Sequence, residues 1–387
     1  MSTTLRAATV ARCGGKAAAL GDLLRAGLPV PDGFVVTDDD GSGERLRAVI
    51  ARGLRGLGDV PVAVRSSAAH EDADGVSAAG QYESLLGVRG VDDVCAAVTE
   101  CRDSARTGRV RTYLGRMAGA GVEPGDMAVL VQPVVPAEVS GVLFTPQHAA
   151  EPVRIESSWG LGISVVGGTV TPDSYEVAAA GTVVCAPGSK RTRIDLAPGG
   201  VVASEVPAAD RDVPSLNDEQ AVRLARLGRR IADLRGGPQD VEWAVVDDAV
   251  WVLQARPVTA PPPHPDTAAA RCGTPQVLTG TPGSPGQVTG PARLVRGPAD
   301  FSAVRRGEIV VCPYTDPAWT PLFAFAAGVV TQTGGALSHA AIVAREYGIP
   351  AVLGVAGALD RIPNGGRVHL DCAAGTVAPA ENRPAAG

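Results

Sequence analysis

Three stretches of the chain carry residue types that can do chemistry at the spacing in which they occur. The first is TGGALSH (333–339), followed by the helical run AAIVAREY (340–347). Ser338 is a natural N-cap, so His339 is expected on the first turn of that helix. A histidine there is odd for a structural role, because the positive end of the helix dipole disfavours imidazolium. The place suits a neutral nucleophile that ends by carrying an anionic phosphoryl group, which the dipole and free N–H groups favour.

The second stretch reads as a β-hairpin: VEWAVV (241–246) and VWVLQA (250–255) flank Asp247, Asp248 and Ala249. With the turn centred on Asp248, Glu242 falls opposite Gln254, and Arg256 shares their face by strand alternation. Two readings stay open. The trio is either a site for Mg²⁺ with phosphate, with hard oxygens for the metal and a fork for the anion, or an exposed cross-strand polar pair beside an arginine. The third stretch is Gly14-Gly15-Lys16, where a glycine pair precedes a helical pattern (16–26) and leaves N–H groups for an anion.

These residues need elements to position them, and 387 residues suffice for two or three domains with real cores. Short strands are expected at 33–37, 62–65, 128–135 and 140–145, with a polar loop over 66–80. Toward the C-terminus strands (307–312, 328–331, 350–355, 367–371) alternate with helical segments (322–327, 340–347). The proline-rich stretch APPPHPDTAAARCGT (260–274) reads as an extended linker of roughly 35–40 Å. It divides a large domain, 1–259, from a small one, 275–387.

Composition excludes several classes. A net charge of −6 argues against nucleic acid as a partner. No apolar run approaches the roughly 20 residues of a membrane helix, so no membrane contact is expected. Seven scattered cysteines without a C-x-x-C pair read as free thiols of a reducing compartment, and the protein is expected in the cytoplasm. Lysine and arginine total 35, yet only Lys16 and Lys190 are lysines. A lysine that persists against such a skew is a candidate for a role needing a compact point charge. His70, His148, His264 and His369 have no ligand partners at metal spacing and read as solvated or structural, while Trp159 is expected to pack.

The stretch TDPAWTPLF…GVVTQTGGALSHAAIVAREYGIPAVLGV (315–355) resembles the swivelling phosphohistidine domain of the PEP-utilising enzymes, and its GG-x-L-S-H form is similar to that of rifampin phosphotransferase-like members. The large domain resembles the ATP-grasp-type nucleotide-binding domain of PEP synthase, pyruvate phosphate dikinase and rifampin phosphotransferase. The matching stretches come in the expected order: GGKAAALGDLLRAGLPVPDGFVVT (14–37), VAVRSSAAHEDADGVSAAGQYESLLGV (62–88), LVQPVVPAEVSGVLFTP (130–146), IESSWGLGISVVGGTVTPDSYEV (155–177) and DVEWAVVDDAVWVLQARPVT (240–259). The resemblance covers almost the whole chain. It implies an α/β (α+β) fold: an ATP-grasp-type domain followed by a swivelling β/β/α phosphohistidine domain.

It also implies ATP and Mg²⁺ as cofactors and assigns roles by motif. Lys16 and Arg65 would contact the ATP phosphates, Gln81 and Ser84 would lie at the phosphate loop, and Gln132 with its neighbours would form the adenine hinge. Glu242 and Gln254 would bind Mg²⁺, with Arg256 on the phosphates. Lys190 matches no motif, leaving a surface role and a nucleotide contact both open. The implied chemistry is an AMP-forming relay through phosphohistidine on His339 to a small-molecule acceptor. The alternatives are transfer to a separate acceptor protein and a non-catalytic regulator. Pyruvate-using relatives carry a C-terminal barrel, and the rifampin enzyme a drug-binding domain between the two. Neither is found in these 387 residues, so the expected acceptor is one of specialised metabolism. Ile163 stands where the family usually has an acidic residue.

Overall fold

The computed structural model describes residues 3–68, 84–104, 127–263 and 277–380. They form two compact units: 1–162 with 173–259, and 163–172 with 260–387. The architecture mixes helices with sheets throughout.

The first unit is built on two large antiparallel sheets, with a two-stranded ribbon of Thr192–Ala197 and Gly200–Glu205 besides. The five-stranded sheet runs, in spatial order, Thr3–Thr4, Phe34–Val36, Met127–Pro133, Val62–Ala68 and Ser84–Val88. Helices Gly43–Leu57 and Val91–Ser104 cover it, and Ile50, Leu54, Val94, Val98 and Cys101 pack on Val36, Val64 and Val129. The six-stranded sheet runs Ala249–Pro257, Gln239–Val246, Val139–Phe144, Val153–Trp159, Asp173–Val177 and Val183–Ala186. Alternation along its strands sends Val241, Leu143, Ile155 and Tyr175 to one face, where they meet Leu224 and Ile231 of helix Asp218–Arg235. Each such buried side chain contributes about 1.5–3 kcal/mol. The opposite face of the same strands carries Asp240, Glu242 and Glu156 alongside Val142 and Phe144.

Helix Val10–Arg25 belongs to this unit and starts six residues before the 16–26 run expected from the sequence. Gly14 (φ 74°) kinks it, because a Cβ there would stand 2.0 Å from the Ser67 carbonyl oxygen. Only glycine combines that close approach with that backbone conformation. Ser67 then fastens the crossing, its hydroxyl donating to Cys13 O (2.6 Å) and accepting from the Ala17 N–H (3.0 Å).

Lys190 is neither at the surface nor poised for a ligand. It is fully buried, its Nζ donating to Asp173 Oδ1 (2.5 Å) and to Gly188 O (3.0 Å). Asp173 also accepts from the N–H groups of Gly188 and Ser215 and from the Ser215 hydroxyl. The Trp159 indole packs against the core and donates to Asp210 O (3.1 Å).

In the second unit an eight-stranded sheet has four parallel central strands, Gln287–Leu294, Ile309–Cys312, Gly328–Thr331 and Ala351–Leu353, with antiparallel strands on both sides. Helix His339–Tyr347 packs on it through Ala340, Ala341, Val343 and Ala344. The excursion 163–172 is part of this unit, although the proline-rich boundary alone had assigned it to the large domain. Gly168 O accepts from the Thr333 hydroxyl (2.7 Å), and Val170 O accepts from the Gly334 N–H (3.1 Å). Ile163 opens the excursion and is 40% exposed. The 260–274 linker falls outside the described residues beyond 263.

Candidate active site

Two polar centres stand out, one in each unit. The first gathers where the two sheets of the first unit present Arg65 and the 239–257 hairpin. That hairpin turns through Asp247 (φ 47°) and Asp248 (φ 61°), a two-residue turn in the left-handed region that Asp tolerates. Val246 pairs with Ala249, so the turn lies one half-step away from the centre at Asp248 that the sequence suggested. A tight turn of this kind would put Glu242 opposite Leu253. A β-bulge between Glu242 and Trp243 corrects the register, pairing Glu242 with Gln254 and Asp240 with Arg256. Glu242 and Gln254 are therefore neighbours as expected, through a bulge that the residue pattern did not reveal.

The bulge leaves Leu253 without a cross-strand partner, and its carbonyl accepts from Arg65 Nη1 (2.7 Å). The other guanidinium nitrogen of Arg65 reaches Glu242 Oε2 (3.0 Å) and Gln254 Oε1 (3.2 Å). Arg65 and Glu242 are 14% and 22% exposed at the side chain, so the pair is sheltered but reachable. The Glu242–Gln254 pair is neither fully exposed nor met by Arg256: the arginine that reaches it comes from another sheet, 177 residues away.

Arg256 is buried and its guanidinium is held by Asp240, with Nε 2.8 Å from Oδ2. Asp240 was missed by the sequence reading. Its signal was present, since the D-x-E spacing puts it on the face of Glu242 by strand alternation. Two further features came only from the structure, Ser67 and the Leu253 carbonyl.

Lys16 lies just past the Gly14 kink and is 5% exposed. The helix start there is not wholly open to an anion as expected, because Ser67 occupies the Ala17 N–H. Ser84 is exposed and sits beside Arg65 in register. The Gln132 side chain is buried and donates to Pro31 O (2.6 Å), bracing the strand that precedes the 133–137 connection. Gln81 and His70 lie outside the described residues.

The second centre is His339. It is the first residue of its helix, 4% exposed, with Nδ1 3.1 Å from the Thr315 hydroxyl. Ser338 has N-cap backbone geometry (φ −74°, ψ 164°), but its hydroxyl donates to Gly335 O (2.8 Å) rather than capping the helix. Asp316 caps the neighbouring turn by accepting from the Ala318 N–H (2.7 Å), which fixes the loop that carries Thr315. His369 shares a hydrogen bond with Thr289 in the sheet.

A metal would find no ready cage, since no group of three or more His, Cys, Asp or Glu side chains converges among the described residues. Glu242 and Gln254 offer two oxygens of the hard type that Mg²⁺ takes. Such a pair fits a metal that completes its shell with water and substrate phosphates. No helix of the described residues is long and apolar enough to cross a membrane.

Comparison with known proteins identifies the family. Residues 41–271 match the AMP/ATP-binding domain of pyruvate phosphate dikinase, and residues 304–375 match the mobile domain of PEP-utilising enzymes. A region matching an AMP/ATP-binding domain followed by one matching a mobile domain defines the class, and the chain belongs to the PEP-utilising dikinase family. Among its relatives, a probable phosphoenolpyruvate synthase of Methanothermobacter thermautotrophicus is 34% identical over 94% of this chain and 61% of its own length. Another from Archaeoglobus fulgidus is 33% identical over 94% of this chain and 56% of its own. The chain thus spans little more than half the length of these relatives. A D-alanine–D-alanine ligase structure from Bacillus anthracis aligns with 62% of the chain at 10% identity and a TM-score of 0.31, too slight a likeness to add to the assignment.

Proposed function

We propose that this chain is an ATP-dependent phosphotransferase of the dikinase type, which forms AMP and carries phosphate on His339 to a small-molecule acceptor. The observation that carries the reading is the Thr315–His339 contact at the start of a helix. With its proton on Nδ1 donated to the Thr315 hydroxyl, the imidazole presents the Nε2 lone pair as nucleophile. Nε2 attacks the β-phosphorus of ATP, the N–P bond forms, and the bond from that phosphorus to the AMP oxygen breaks. The γ-phosphoryl group then leaves to water or phosphate, and the remaining phosphohistidine donates to the acceptor.

Phosphoryl transfer of this kind depends on positioning and charge neutralisation more than on covalent assistance. Lys16 and Arg65 are the groups in the first unit best suited to hold phosphates. Arg256 serves through Asp240, whose carboxylate it holds in place on the Glu242 face. Bound at Glu242 and Gln254, Mg²⁺ would neutralise charge on the phosphate oxygens. Residues 1–259 would form the nucleotide-binding domain, and the segment around 260–274 would give the 275–387 domain the freedom to move.

The names of the relatives make pyruvate the first acceptor to try, despite the sequence-based expectation of another small molecule. The test begins without any acceptor: wild type and His339→Ala are incubated with Mg²⁺ and ATP labelled at the β- or γ-phosphate. Acid-labile β-label on the wild type alone is the expected outcome, discharged on addition of pyruvate if pyruvate is the acceptor. Equal labelling of both proteins, or none in either while ATP still binds, would sink the relay.

A further inference from the structure

Arg65 is engaged in a way that the relay does not require. Its guanidinium lies between the two oxygens assigned to the metal, 3.0 Å from Glu242 Oε2 and 3.2 Å from Gln254 Oε1, with a third contact to the Leu253 carbonyl at 2.7 Å. A half-sheltered carboxylate facing an amide oxygen is unfavourable without a cation nearby. Arg65 supplies that cation from a different sheet, and a divalent ion on the same oxygens would be strongly repelled by it.

We infer that Arg65 is a resident counter-cation: it occupies the Glu242–Gln254 oxygen pair in the nucleotide-free protein and gives the pair up when Mg²⁺ arrives together with ATP. The inference rests on the proposed function, because it takes that oxygen pair to be the metal site. The bulge supplies the means. The Leu253 carbonyl is freed from the ladder and holds Nη1 independently of the two side-chain oxygens, which Nη2 contacts. The guanidinium can therefore turn about that carbonyl and exchange Glu242 and Gln254 for phosphate oxygens while keeping one anchor. ATP attracts Arg65 away from the metal ligands, and the metal bound in its place holds the phosphates. Each ligand thereby raises the affinity for the other by the same factor. Bare Mg²⁺ is kept off the site, so the protein does not preload metal in a form that lacks nucleotide.

The test titrates full-length protein with Mn²⁺ alone, reading free Mn²⁺ by electron paramagnetic resonance. Wild type is expected to bind weakly. Arg65→Met is expected to bind Mn²⁺ roughly tenfold more tightly or better, through loss of a neighbouring positive charge. Adding Glu242→Gln to Arg65→Met abolishes that gain. Arg65→Lys keeps the charge but loses the fork, and is expected to show a smaller gain in the same direction. It decides the matter if the methionine variant does not fold. No gain in the folded variants, with Arg65 acting only as a permanent clamp, would overturn the inference. A parallel titration with ATP present separates the two levels of the argument. If Glu242→Gln leaves ATP-dependent Mn²⁺ binding unchanged, the metal assignment fails. If Glu242→Gln weakens it while the Arg65 variants show no gain, the counter-cation fails alone.

Discussion

Thr315 and His339 are 24 residues apart in the chain and 3.1 Å apart at their functional atoms. In the proposed relay that contact orients the imidazole, with Nδ1 toward Thr315 and Nε2 as the reacting atom, so the hydroxyl acts by positioning. Thr315→Val keeps the shape and removes the hydrogen bond. The rate of β-label incorporation is expected to fall roughly tenfold or more, with recovery in Thr315→Ser. An unchanged rate in the valine variant would show that packing alone holds the ring. The place of His339 was readable because a serine, a histidine and a helical run are consecutive. Its partner was not, since nothing local in TDPAW marks Thr315 as a hydrogen-bond partner of a histidine. The same holds for Arg65, whose meeting with Glu242 joins positions 177 apart. By contrast, the pairing of Arg256 with Asp240 follows from hairpin register and was within reach of alternation once the bulge is known.

At the scale of elements, the first unit is held by polar crossings as well as apolar faces. The strand Asp173–Val177 is tied to the loops at 188–190 and 215 by the fully buried Lys190–Asp173 pair. This explains why a lysine persists in an arginine-rich chain. The ammonium fits between one carboxylate oxygen and one carbonyl, whereas a guanidinium would bring five donors into a space without solvent. Lys190→Met leaves the carboxylate buried without its counter-ion and is expected to destabilise the protein by about 3–5 kcal/mol. The check is a urea titration, and a loss under about 1 kcal/mol would assign the pair no structural weight. Strand periods and helix stops were readable in the sequence to within a few residues. The early start of helix Val10–Arg25 was not, because it runs through a kink at Gly14, where the Ser67 carbonyl of a strand distant in sequence leaves no room for a Cβ.

On the scale of the whole molecule, each unit carries its own cores: Leu20, Ile155, Leu224 and Trp243 in one, and Val310, Leu322, Val343 and Leu353 in the other. Composition marks a boundary after 259, where the prolines begin, and the contacts of the first unit also end at Thr259. It gave no sign that 163–172 belongs with the second unit. That stretch looks like any loop, and its partner Thr333 is 165 residues further on. Two sets of cores predict two unfolding transitions. Cys13 and Cys101 are buried in the first unit, Cys312 and Cys372 in the second. Burial raises the Cys312 thiol well above its ordinary range and lifts Cys372 to about 12, so both are protected twice over in the native state. Pulsed alkylation across a urea series is expected to expose Cys312 with Cys372 at one midpoint and Cys13 with Cys101 at another. A single shared midpoint for all four would contradict it.

The bulge beside Leu253 separates the tip of the hairpin from its working end. The pairing of Glu242 with Gln254 is reset below the tip, while Asp247 and Asp248 stay exposed at the turn. Asp248 nonetheless ties the tip to helix Asp218–Arg235 by accepting from Arg223 and Gln220. A fluorescent probe placed at Asp247 would therefore report on the helix and the hairpin together, from the strands that carry Glu242 and Gln254.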